Sequence, residues 1–476
     1  MNKRHLPFWL FIISAFFILV VRNLFRDGMF MDGMIYGTVA HNLANGFGTF
    51  WHPYFSKTLM TAFHEQPPLF FGIEAIFFRI FGDSIIVERI YGLIIALITI
   101  SLIQKLWKCL MPHRPEENLS WLAVLFWLCI PVCFWSFSNN MEEPTMGMFD
   151  LAAILYICRS CVENKKKWFR LFIAATMIIA ASLCKGFQGL FPLAGVFFFW
   201  VVFRNISFRQ MVTRSLFLLI VVAIFYGIIL LKERVRLSYV LYFHNQLVPA
   251  FTHPGETHSD HFTIVEQLFF ELIPVFILTF GIGIFMKIKK SKPATDLNIR
   301  RASIWLFLIG FSGTLPLMLT MKQSGFYTVT AMPYFAAGFA VLLAPFISNL
   351  IEQLKIDSAN FFTFTRVSWL VLYAAIIFTI VTIIYLPKRD VRMLHDVYCT
   401  GQVVPNGSII SISDELYNQW SLYAYYSRYF YISLDASTTP HEYFLSEKNP
   451  DKPKVPVGYK LLKLPTQRYD LYIREQ

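Results

Sequence analysis

The sequence predicts an α-helical polytopic membrane protein with about eleven transmembrane helices, interfacial helices in its first outer loop, and a small extracytoplasmic α/β domain at the C-terminus. Three observations predict it. Hydrophobic residues make up 56% of the 476 residues and charged residues only 15%, whereas soluble domains carry roughly 25% charged residues. The mean hydropathy is +0.52. The basic residues fall between apolar runs, so the positive-inside rule explains the net charge of +12 better than a nucleic-acid surface does.

Eleven apolar runs approach the length of about 20 residues that a bilayer span needs. They are 8–25, 84–106, 119–138, 141–158, 170–184, 187–203, 215–231, 268–287, 302–321, 327–347 and 367–386. The first run follows a basic start as a signal peptide does. No small-residue cleavage site comes after it, so we expect a retained span.

Basic loops predict the orientation of these spans. The loops around 105–114, 159–170 and 204–214 and the stretch KIKKSKPATDLNIRR are all rich in Lys and Arg. The positive-inside rule therefore places them and the N-terminus in the cytoplasm, and an odd number of spans places the C-terminus outside. The expected location is the inner (cytoplasmic) membrane of the cell. Long outer segments then cover about 26–83, 232–267 and 388–476.

Two outer segments have structure of their own. DGMIYGTVAHNLANG, residues 32–46, has apolar residues at helical spacing and a glycine that can end a helix, and its apolar face would suit the membrane interface. The tail reads as a strand, a helix and three further strands. We therefore predict two domains, 1–387 in the membrane and 388–476 outside it. The tail contains no recognisable catalytic motif. We therefore expect it to act as a cap that covers or rigidifies the site in the membrane domain.

Ionisable residues collect at the predicted outer ends of the spans. Asp32 follows the first span, Glu142 and Glu143 occupy the turn after the third, and Lys185 and Lys322 lie at later span ends. A carboxylate can deprotonate a nucleophile or hold a divalent cation, and lysine neutralises phosphate. Together they suit a reaction that needs a base and a phosphate clamp.

Each of these residues also has a simpler interpretation. Asp27 and Asp32 can cap a short interfacial helix, Glu142 can be a solvated turn residue, and Lys185 and Lys322 can extend to lipid headgroups. Ionisable groups close to hydrocarbon are costly, so the coincidence of all of them on one side favours a functional site.

The motifs resemble those of the family 39 membrane glycosyltransferases. These have the GT-C fold and include dolichyl-phosphate-mannose protein mannosyltransferases and aminoarabinose transferases acting on lipid A. The similar stretches are Asp32 with Tyr36, Glu65-Gln66-Pro67-Pro68-Leu69, Gly82-Asp83-Ser84 with Arg89, NNMEEPTMGMF, CKGFQGLFP and MKQSGFYTVTAMPYFA. They occur in order over about residues 1–390. Gln66 departs from the pattern, because the family often has lysine before the first proline. Either Lys185, Lys322 or an arginine from Arg234 and Arg236 would supply that charge instead, or the donor is a different one.

The resemblance implies an enzyme that moves a sugar from a polyprenyl-phosphate donor to an acceptor hydroxyl on a lipid, a protein or a surface glycan. Asp32 would act as base with Glu143 beside it, and direct displacement would invert the anomeric centre. The donor phosphate would be bound by Lys185, Lys322, Gln66 and Arg89. The substrate pocket would be formed by Tyr36, His64, Glu65, Tyr327 and His261. The sequence does not identify the sugar or the acceptor.

A metal site and a different class of function stay open at this point. His258, Asp260 and His261 in the second outer segment have residue types that bind a divalent metal, although their spacing is loose. Ordinary solvated histidines are the alternative. A transporter or lipid flippase would use Asp32 and Glu143 for ion coupling. A transporter would place such charges inside the spans. Asp32 and Glu143 instead lie at junctions between loops and spans, and this position favours an enzyme.

Overall fold

The computed structural model describes residues 3–163, 165–252, 260–289, 296–385, 389–448 and 455–475. Most of these residues are helical. The helices are α1 (Lys3–Leu24), α2 (Met31–Ala44), α3 (Leu69–Phe81), α4 (Val87–Leu110), α5 (Ser120–Leu128), α6 (Pro131–Ser138), α7 (Glu142–Val162), α8 (Lys167–Lys185), α9 (Gly195–Phe203), α10 (Phe208–Ile229), α11 (Glu233–Tyr242), α12 (Val248–Thr252), α13 (Thr263–Ile288), α14 (Leu297–Thr314), α15 (Met332–Glu352), α16 (Ala359–Tyr385), α17 (Val391–Gly401) and α18 (Trp420–Phe430).

Within the described residues, nine helices are long and apolar enough to cross a membrane, or ten when the bent pair is one span. The bend, of 77°, separates α6 from the helical segment that ends with α5. Pro131 lacks an N–H, and the N–H of Val132 donates to Glu271 Oε2 on α13 at 2.7 Å. A carboxylate from a neighbouring helix therefore satisfies the backbone at the break.

The continuous run Lys167–Phe203 contains 37 residues, which would extend about 55 Å as one helix against a hydrocarbon core of about 30 Å. Gly186 has a φ of +81° and ends α8. A Cβ at Gly189 would lie only 2.5 Å from the carbonyl carbon of Ala181, so the chain folds back on α8 through a 3₁₀ segment before α9. Counting α8 and α9 as separate crossings recovers the eleven spans that the sequence predicts.

The first outer segment contains α2, α3 and a two-stranded ribbon, β1 (Gly48–Thr49) with β2 (His52–Pro53). As predicted, the first helix ends before Gly46, whose φ is +84°. Its apolar face packs against protein rather than lipid, because residues 33–42 are all buried between α3 and α18. The interfacial helix is α3: its side chains Ile76, Ile80 and Phe81 are exposed, and its 13 residues are too few to span.

The C-terminal region forms a mixed sheet of five strands with α17 and α18. The strands β3 (Ile409–Ile412), β4 (Ser433–Asp435), β5 (Tyr443–Glu447), β6 (Tyr459–Leu462) and β7 (Tyr469–Arg474) have the order β4-β3-β5-β7-β6. The first three strands are parallel and the last two pairs are antiparallel. The buried Asp396 on α17 accepts hydrogen bonds from the N–H groups of Gln467, Arg468 and Tyr469 at 2.6–2.8 Å, which joins that helix to β7.

Candidate functional site

Helix α2 carries the two most N-terminal residues of the site. The N–H of Phe30, just before the helix, donates to Asn139 Oδ1 at 2.7 Å, which sets where α2 begins. Asp32 lies in the first turn but makes no cap hydrogen bond, so the simple capping interpretation does not describe it. Tyr36 is one turn further along the same face and is 6% exposed.

The turn before α7 is held against α2 by close backbone contact. A Cβ at Gly33 would lie 1.7 Å from the carbonyl oxygen of Asn139, so only glycine fits there. The amide of Asn140 donates to the carbonyl of Gly33 at 3.4 Å. Glu142 and Glu143 follow directly and have no exposed surface. Acidic residues in the first turn of α7 interact favourably with the helix dipole.

Lys185, at the end of α8, pairs with both glutamates. Its ammonium forms a hydrogen-bonded ion pair with Glu143 and lies 4.0 Å from Glu142 Oε2. It also lies 4.8 Å from the centre of the Tyr327 ring, within cation–π range. Because Lys185 is only 9% exposed, the outer end of α8 is a buried cationic centre rather than a lysine that reaches headgroups.

Tyr242 on α11 completes this side of the site. A Cβ at Gly186 would lie 2.2 Å from the Tyr242 hydroxyl oxygen, and that hydroxyl donates to the carbonyl of Lys185 at 3.5 Å. Glycine at position 186 is therefore required twice, by the left-handed backbone and by the close approach of the phenol. Tyr242 was not among the site residues expected from the sequence, because nothing around it in the chain resembles a motif.

Lys322 is exposed and lies at the opening of the same cluster. Burial raises the pKa of Asp32 above its usual value, while Lys185 and Lys322 act in the opposite direction. Burial also raises the pKa of Glu65, opposed by Lys322 and reinforced by Asp32. Asp32 is likewise within electrostatic reach of Glu142 and Glu143. The structure thus brings together the outer acids and both lysines that the sequence analysis selected.

Three tyrosines surround these charges and remain protonated at neutral pH. Burial raises the pKa of Tyr242 and of Tyr327 to about 12 despite the nearby Lys185. Burial, reinforced by the nearby glutamates and Asp32, raises the pKa of Tyr36 well above its usual value. Neutral phenols can donate hydrogen bonds to anionic oxygens.

The structure places other predicted site residues elsewhere. Arg89 is buried, and its guanidinium donates to the carbonyls of Arg26, Gly28 and Ser138 at 2.8–2.9 Å, so it does not join the lysines. The ring of His64 lies between His52 and Ser238, with both hydrogen bonds at 3.1 Å, and links the first outer segment to α11.

Gln66 follows Glu65 directly and is half-buried. Pro68 has helical dihedral angles and is the N-cap of α3.

The second outer segment is more helical than the sequence suggested, since α12 follows α11 closely. Asp260 accepts from the N–H of Phe262 and the hydroxyl of Thr263, near the start of α13. His261 is exposed, and its Nδ1 lies 2.7 Å from the carbonyl of Met318. His258 lies outside the described residues. Within the part of the chain that the structure describes, no three His, Cys, Asp or Glu side chains are placed to hold a metal ion.

An apolar groove opens beside Lys185. It has a volume of about 350 Å³ and is lined by residues of α8, α10, α11 and the 3₁₀ segment, among them Gly186, Phe187, Leu190, Tyr226 and Tyr242. A larger cavity of about 730 Å³ lies between α1, α4 and α5, away from the charged cluster. The smaller groove has an apolar wall that includes Gly186, the residue after Lys185.

Residues 65–230, about a third of the chain, match the family model described as dolichyl-phosphate-mannose-protein mannosyltransferase. A comparison with curated proteins gives no match. Among solved structures, ArnT from Cupriavidus metallidurans bound to undecaprenyl phosphate is similar, with 13% identity and a TM-score of 0.62, covering 98% of this chain and 97% of that one.

The chain has the GT-C fold.

A second GT-C structure agrees. It is the archaeal oligosaccharyltransferase AglB from Archaeoglobus fulgidus in complex with an inhibitory peptide and a dolichol-phosphate. It has 12% identity and a TM-score of 0.52, and covers 94% of this chain and 69% of that one. These findings confirm the family resemblance predicted from the motifs and the predicted enzyme class, a membrane glycosyltransferase. The ArnT match spans nearly the whole chain, so the C-terminal sheet belongs to the shared fold.

Proposed function

We propose that the chain transfers a sugar from a polyprenyl-phosphate donor to an acceptor hydroxyl at the outer face of the cytoplasmic membrane. The observation that carries this proposal is the cluster of Asp32, Glu65, Glu142 and Glu143 with Lys185 and Lys322, beside an apolar groove. The basic loops between the spans support the orientation, since they would all lie on the opposite side of the membrane.

The groove beside Lys185 supports a lipid-linked donor. An isoprenoid tail needs an apolar surface, and its phosphate needs a cation at the end of that surface. Lys185 supplies the cation: its ammonium has three donors, and its hydrogen bond to Glu143 leaves others for phosphate oxygens. Tyr242 lines the groove and its phenol lies beside Lys185. Lys322, nearer the surface, adds a second positive charge. ArnT and AglB have been solved with such lipid phosphates.

The glutamates of α7 have the capacity to bind the sugar. Among the described residues, both carboxyl oxygens of Glu142 and Oε2 of Glu143 are buried without a hydrogen-bond partner. Buried acceptors of this kind are costly unless a donor reaches them. Sugar hydroxyls are donors of suitable geometry. We therefore assign Glu142 and Glu143 to sugar binding, with Glu143 also fixing the position of Lys185.

In the proposed reaction Asp32 acts as general base. Asp32 takes the proton of the acceptor hydroxyl, the acceptor oxygen bonds to the anomeric carbon, and the bond from that carbon to the phosphate oxygen breaks. The lipid phosphate leaves with the electron pair, and a single displacement inverts the anomeric centre. Negative charge grows on the leaving phosphate, so Lys185 and Lys322 stabilise the transition state more than the ground state.

Substitution of the base tests the proposal. Asp32→Asn is expected to lower kcat by about 10²- to 10⁴-fold without loss of folded protein, because the amide cannot accept the proton. Transfer of radiolabelled sugar from polyprenyl phosphate to cell-envelope acceptors measures it. Asp357→Asn, an exposed aspartate on the other side of the membrane, is the matched control. Wild-type transfer by Asp32→Asn would exclude this residue as the base.

The pH profile gives a second test. Asp32 must be ionised to accept a proton, so kcat/KM should rise with pH through its pKa, which burial holds above the usual value. Lys322 lowers that pKa. Lys322→Gln is therefore expected to move the acid limb to higher pH, whereas Lys355→Gln, at an exposed lysine, should leave it in place. An acid limb that moves to lower pH would contradict the assignment.

A further inference from the structure

Two cysteine sulfurs meet where α4 and α7 pack together. Cys109 lies in the last turn of α4, and Cys158 lies near the end of α7. Their Sγ atoms are 3.0 Å apart, which is closer than an ordinary contact between two sulfur atoms, and both residues are free thiols. The sulfurs of a disulfide are about 2.05 Å apart. A further approach of about 1 Å would therefore bring the two sulfurs to bonding distance.

The buried faces of the two helices bring the sulfurs together. Cys109 comes three positions after the buried Leu106 of α4, and Cys158 comes four positions after the buried Ile154 of α7. Residues at these spacings lie on the same face of a helix. Each cysteine therefore belongs to a face that packs inside the protein, so the contact between the sulfurs depends on helix packing and not on a mobile loop.

The same two helices are joined at their other end by a hydrogen bond. The hydroxyl of Tyr91 on α4 lies 2.7 Å from Thr145 Oγ1 on α7, and both residues are buried. Glu142 and Glu143 of the candidate site are in the same turn of α7 as Thr145. A bond between the two cysteines would therefore fix the second end of a helix pair whose first end carries part of the site.

The two thiols differ in how easily an oxidant can reach them. Cys109 is half-buried and follows the exposed Lys108, whereas Cys158 has no exposed surface. A small oxidant can therefore reach Cys109 first. Redox-sensing cysteines often combine an accessible thiol with a second thiol beside it, which condenses with the oxidised sulfur. Cys109 and Cys158 have this arrangement.

The predicted position of this end of the molecule indicates a reduced resting state. Cys109 lies within the basic loop region 105–114, and Cys158 directly precedes the basic stretch 159–170. The positive-inside rule places both stretches in the cytoplasm. Thiols are kept reduced there, and the disulfides that do form are usually transient and redox-sensing. A reversible bond is therefore expected at this position rather than a permanent structural one.

The neighbouring Cys161 has a different environment. It lies three positions after Cys158, but its Sγ is 3.8 Å from the hydroxyl of Ser160, and it interacts with the buried guanidinium of Arg214. In the part of the chain that the structure describes, no three His, Cys, Asp or Glu side chains are placed to hold a metal ion. Cys109 is thus the sulfur that Cys158 contacts.

We propose that Cys109 and Cys158 are a reversible redox pair, which a peroxide converts into a disulfide between α4 and α7. The Cys109 sulfur attacks one oxygen of hydrogen peroxide, the O–O bond breaks, and a sulfenic acid and one water form. The Cys158 sulfur then attacks the Cys109 sulfur, the S–O bond breaks, and the disulfide and a second water form. The two sulfurs together lose two electrons, which reduce the peroxide, and the thiol protons end in the two waters.

The bond should make the folded chain more stable. Cross-linking Cys109 to Cys158 restricts the unfolded chain over the whole segment 109–158, and such a restriction commonly stabilises a protein. The oxidised protein should therefore have a higher Tm than the reduced protein, and a dithiol reductant should return the Tm to its first value. This effect does not depend on a sugar donor.

Purified full-length protein in detergent is used for the test. It is treated with hydrogen peroxide, its remaining thiols are blocked with N-ethylmaleimide in sodium dodecyl sulfate, and its peptides are analysed by mass spectrometry. We expect a cross-linked pair of peptides that contain Cys109 and Cys158, lighter by two hydrogens than the separate peptides, and its loss after dithiothreitol. A thermal unfolding scan with and without dithiothreitol measures the change in Tm.

Variants identify the partners. Cys109→Ser and Cys158→Ser should each lower the yield of the cross-linked peptide at least tenfold and abolish the rise in Tm. Cys161→Ser, on the same helix, and Cys129→Ser, at another half-buried cysteine, are the controls and should keep both. If Cys158→Ser does not fold, the half-buried Cys109→Ser against Cys129→Ser decides the outcome.

Three results would overturn the proposal. One is the recovery of Cys109 and Cys158 as free thiols after complete peroxide treatment. Another is Cys109 found as sulfinic acid beside a free Cys158, because the second thiol would then not have condensed with the first. A disulfide between Cys158 and Cys161 that persists in Cys109→Ser would assign a different pair. A disulfide between Cys109 and Cys158 that leaves the Tm unchanged would overturn its stabilising role.

Discussion

Lys185→Met is expected to cause a large loss of transfer. The substitution removes the partner of Glu143 and the cation nearest the proposed phosphate position. Removal of one group that stabilises charge in the transition state costs about 10²- to 10³-fold in rate. We therefore expect kcat/KM to fall by about 10²- to 10³-fold, measured as sugar transfer from polyprenyl phosphate.

A double variant separates catalysis from folding. Lys185→Met with Glu143→Gln removes both members of the ion pair, so Tm should recover part of the loss while transfer remains low. Lys287→Met, an exposed lysine near the end of α13, should keep both properties. Transfer at the wild-type rate by Lys185→Met would remove the lysine from the reaction. Recovery of transfer in the double variant would assign it a purely structural role.

Much of the site could be predicted because charges close to hydrocarbon are costly. Asp32, Glu143, Lys185 and Lys322 lie at the ends of apolar runs, and this position alone made them candidates. The positive-inside rule then placed them on one side of the membrane. The spans were predictable for a related reason: their length is set by the thickness of the bilayer. Even the division of Lys167–Phe203 followed from KGFQG, where Gly186 turns the chain.

Other features depend on contacts between distant segments, which no local pattern records. Tyr242 reaches Lys185 only because Gly186 leaves room for its hydroxyl. Arg89 had the type and position of a phosphate ligand, but three backbone carbonyls occupy its guanidinium. The helix that carries Asp32 looked like a membrane-surface helix because its exposure depends on α18, nearly 400 residues later. The burial of α2 therefore depends partly on the C-terminal region.

The contact between α18 and the membrane helices is a buried ion pair. Arg428 Nε donates to Glu88 Oε1 at 2.6 Å, and both residues are 2% exposed. The other guanidinium nitrogens donate to the carbonyls of Asp83 and Ser84 at 3.1–3.2 Å. Burial raises the pKa of the neighbouring Glu74 well above its usual value. Arg428 pairs with Glu88 rather than with Glu74.

Glu88 in turn supports the helix of the proposed base. A Cβ at Gly37 would lie 3.1 Å from Glu88 Oε1 and 3.3 Å from its Cγ, so the carboxylate rests against α2 next to Tyr36. Arg428 thus acts on the site through Glu88 and α2, and it is a positioning residue. This gives the C-terminal region a role beyond covering the membrane site.

Arg428→Met is accordingly expected to lower the free energy of unfolding by about 3–5 kcal/mol, because Glu88 is left buried without its partner. Transfer should fall with kcat more affected than the KM for the donor, since α2 carries the base but not the lysines. Thermal unfolding and donor-concentration series measure the two effects. Arg474→Met, at an exposed arginine of β7 in the C-terminal region, is the control and should match the wild type.

The second variant Arg428→Met with Glu88→Gln distinguishes charge compensation from packing. Removing both charges should restore most of the lost stability, because no uncompensated ion remains. If kcat is restored with it, the ion pair serves only to neutralise Glu88. If stability returns while kcat stays low, the guanidinium bonds to Asp83 and Ser84 are what hold α18 against α2. A single variant with wild-type Tm and wild-type kcat would contradict the proposed coupling, and the C-terminal region would then be a cover alone.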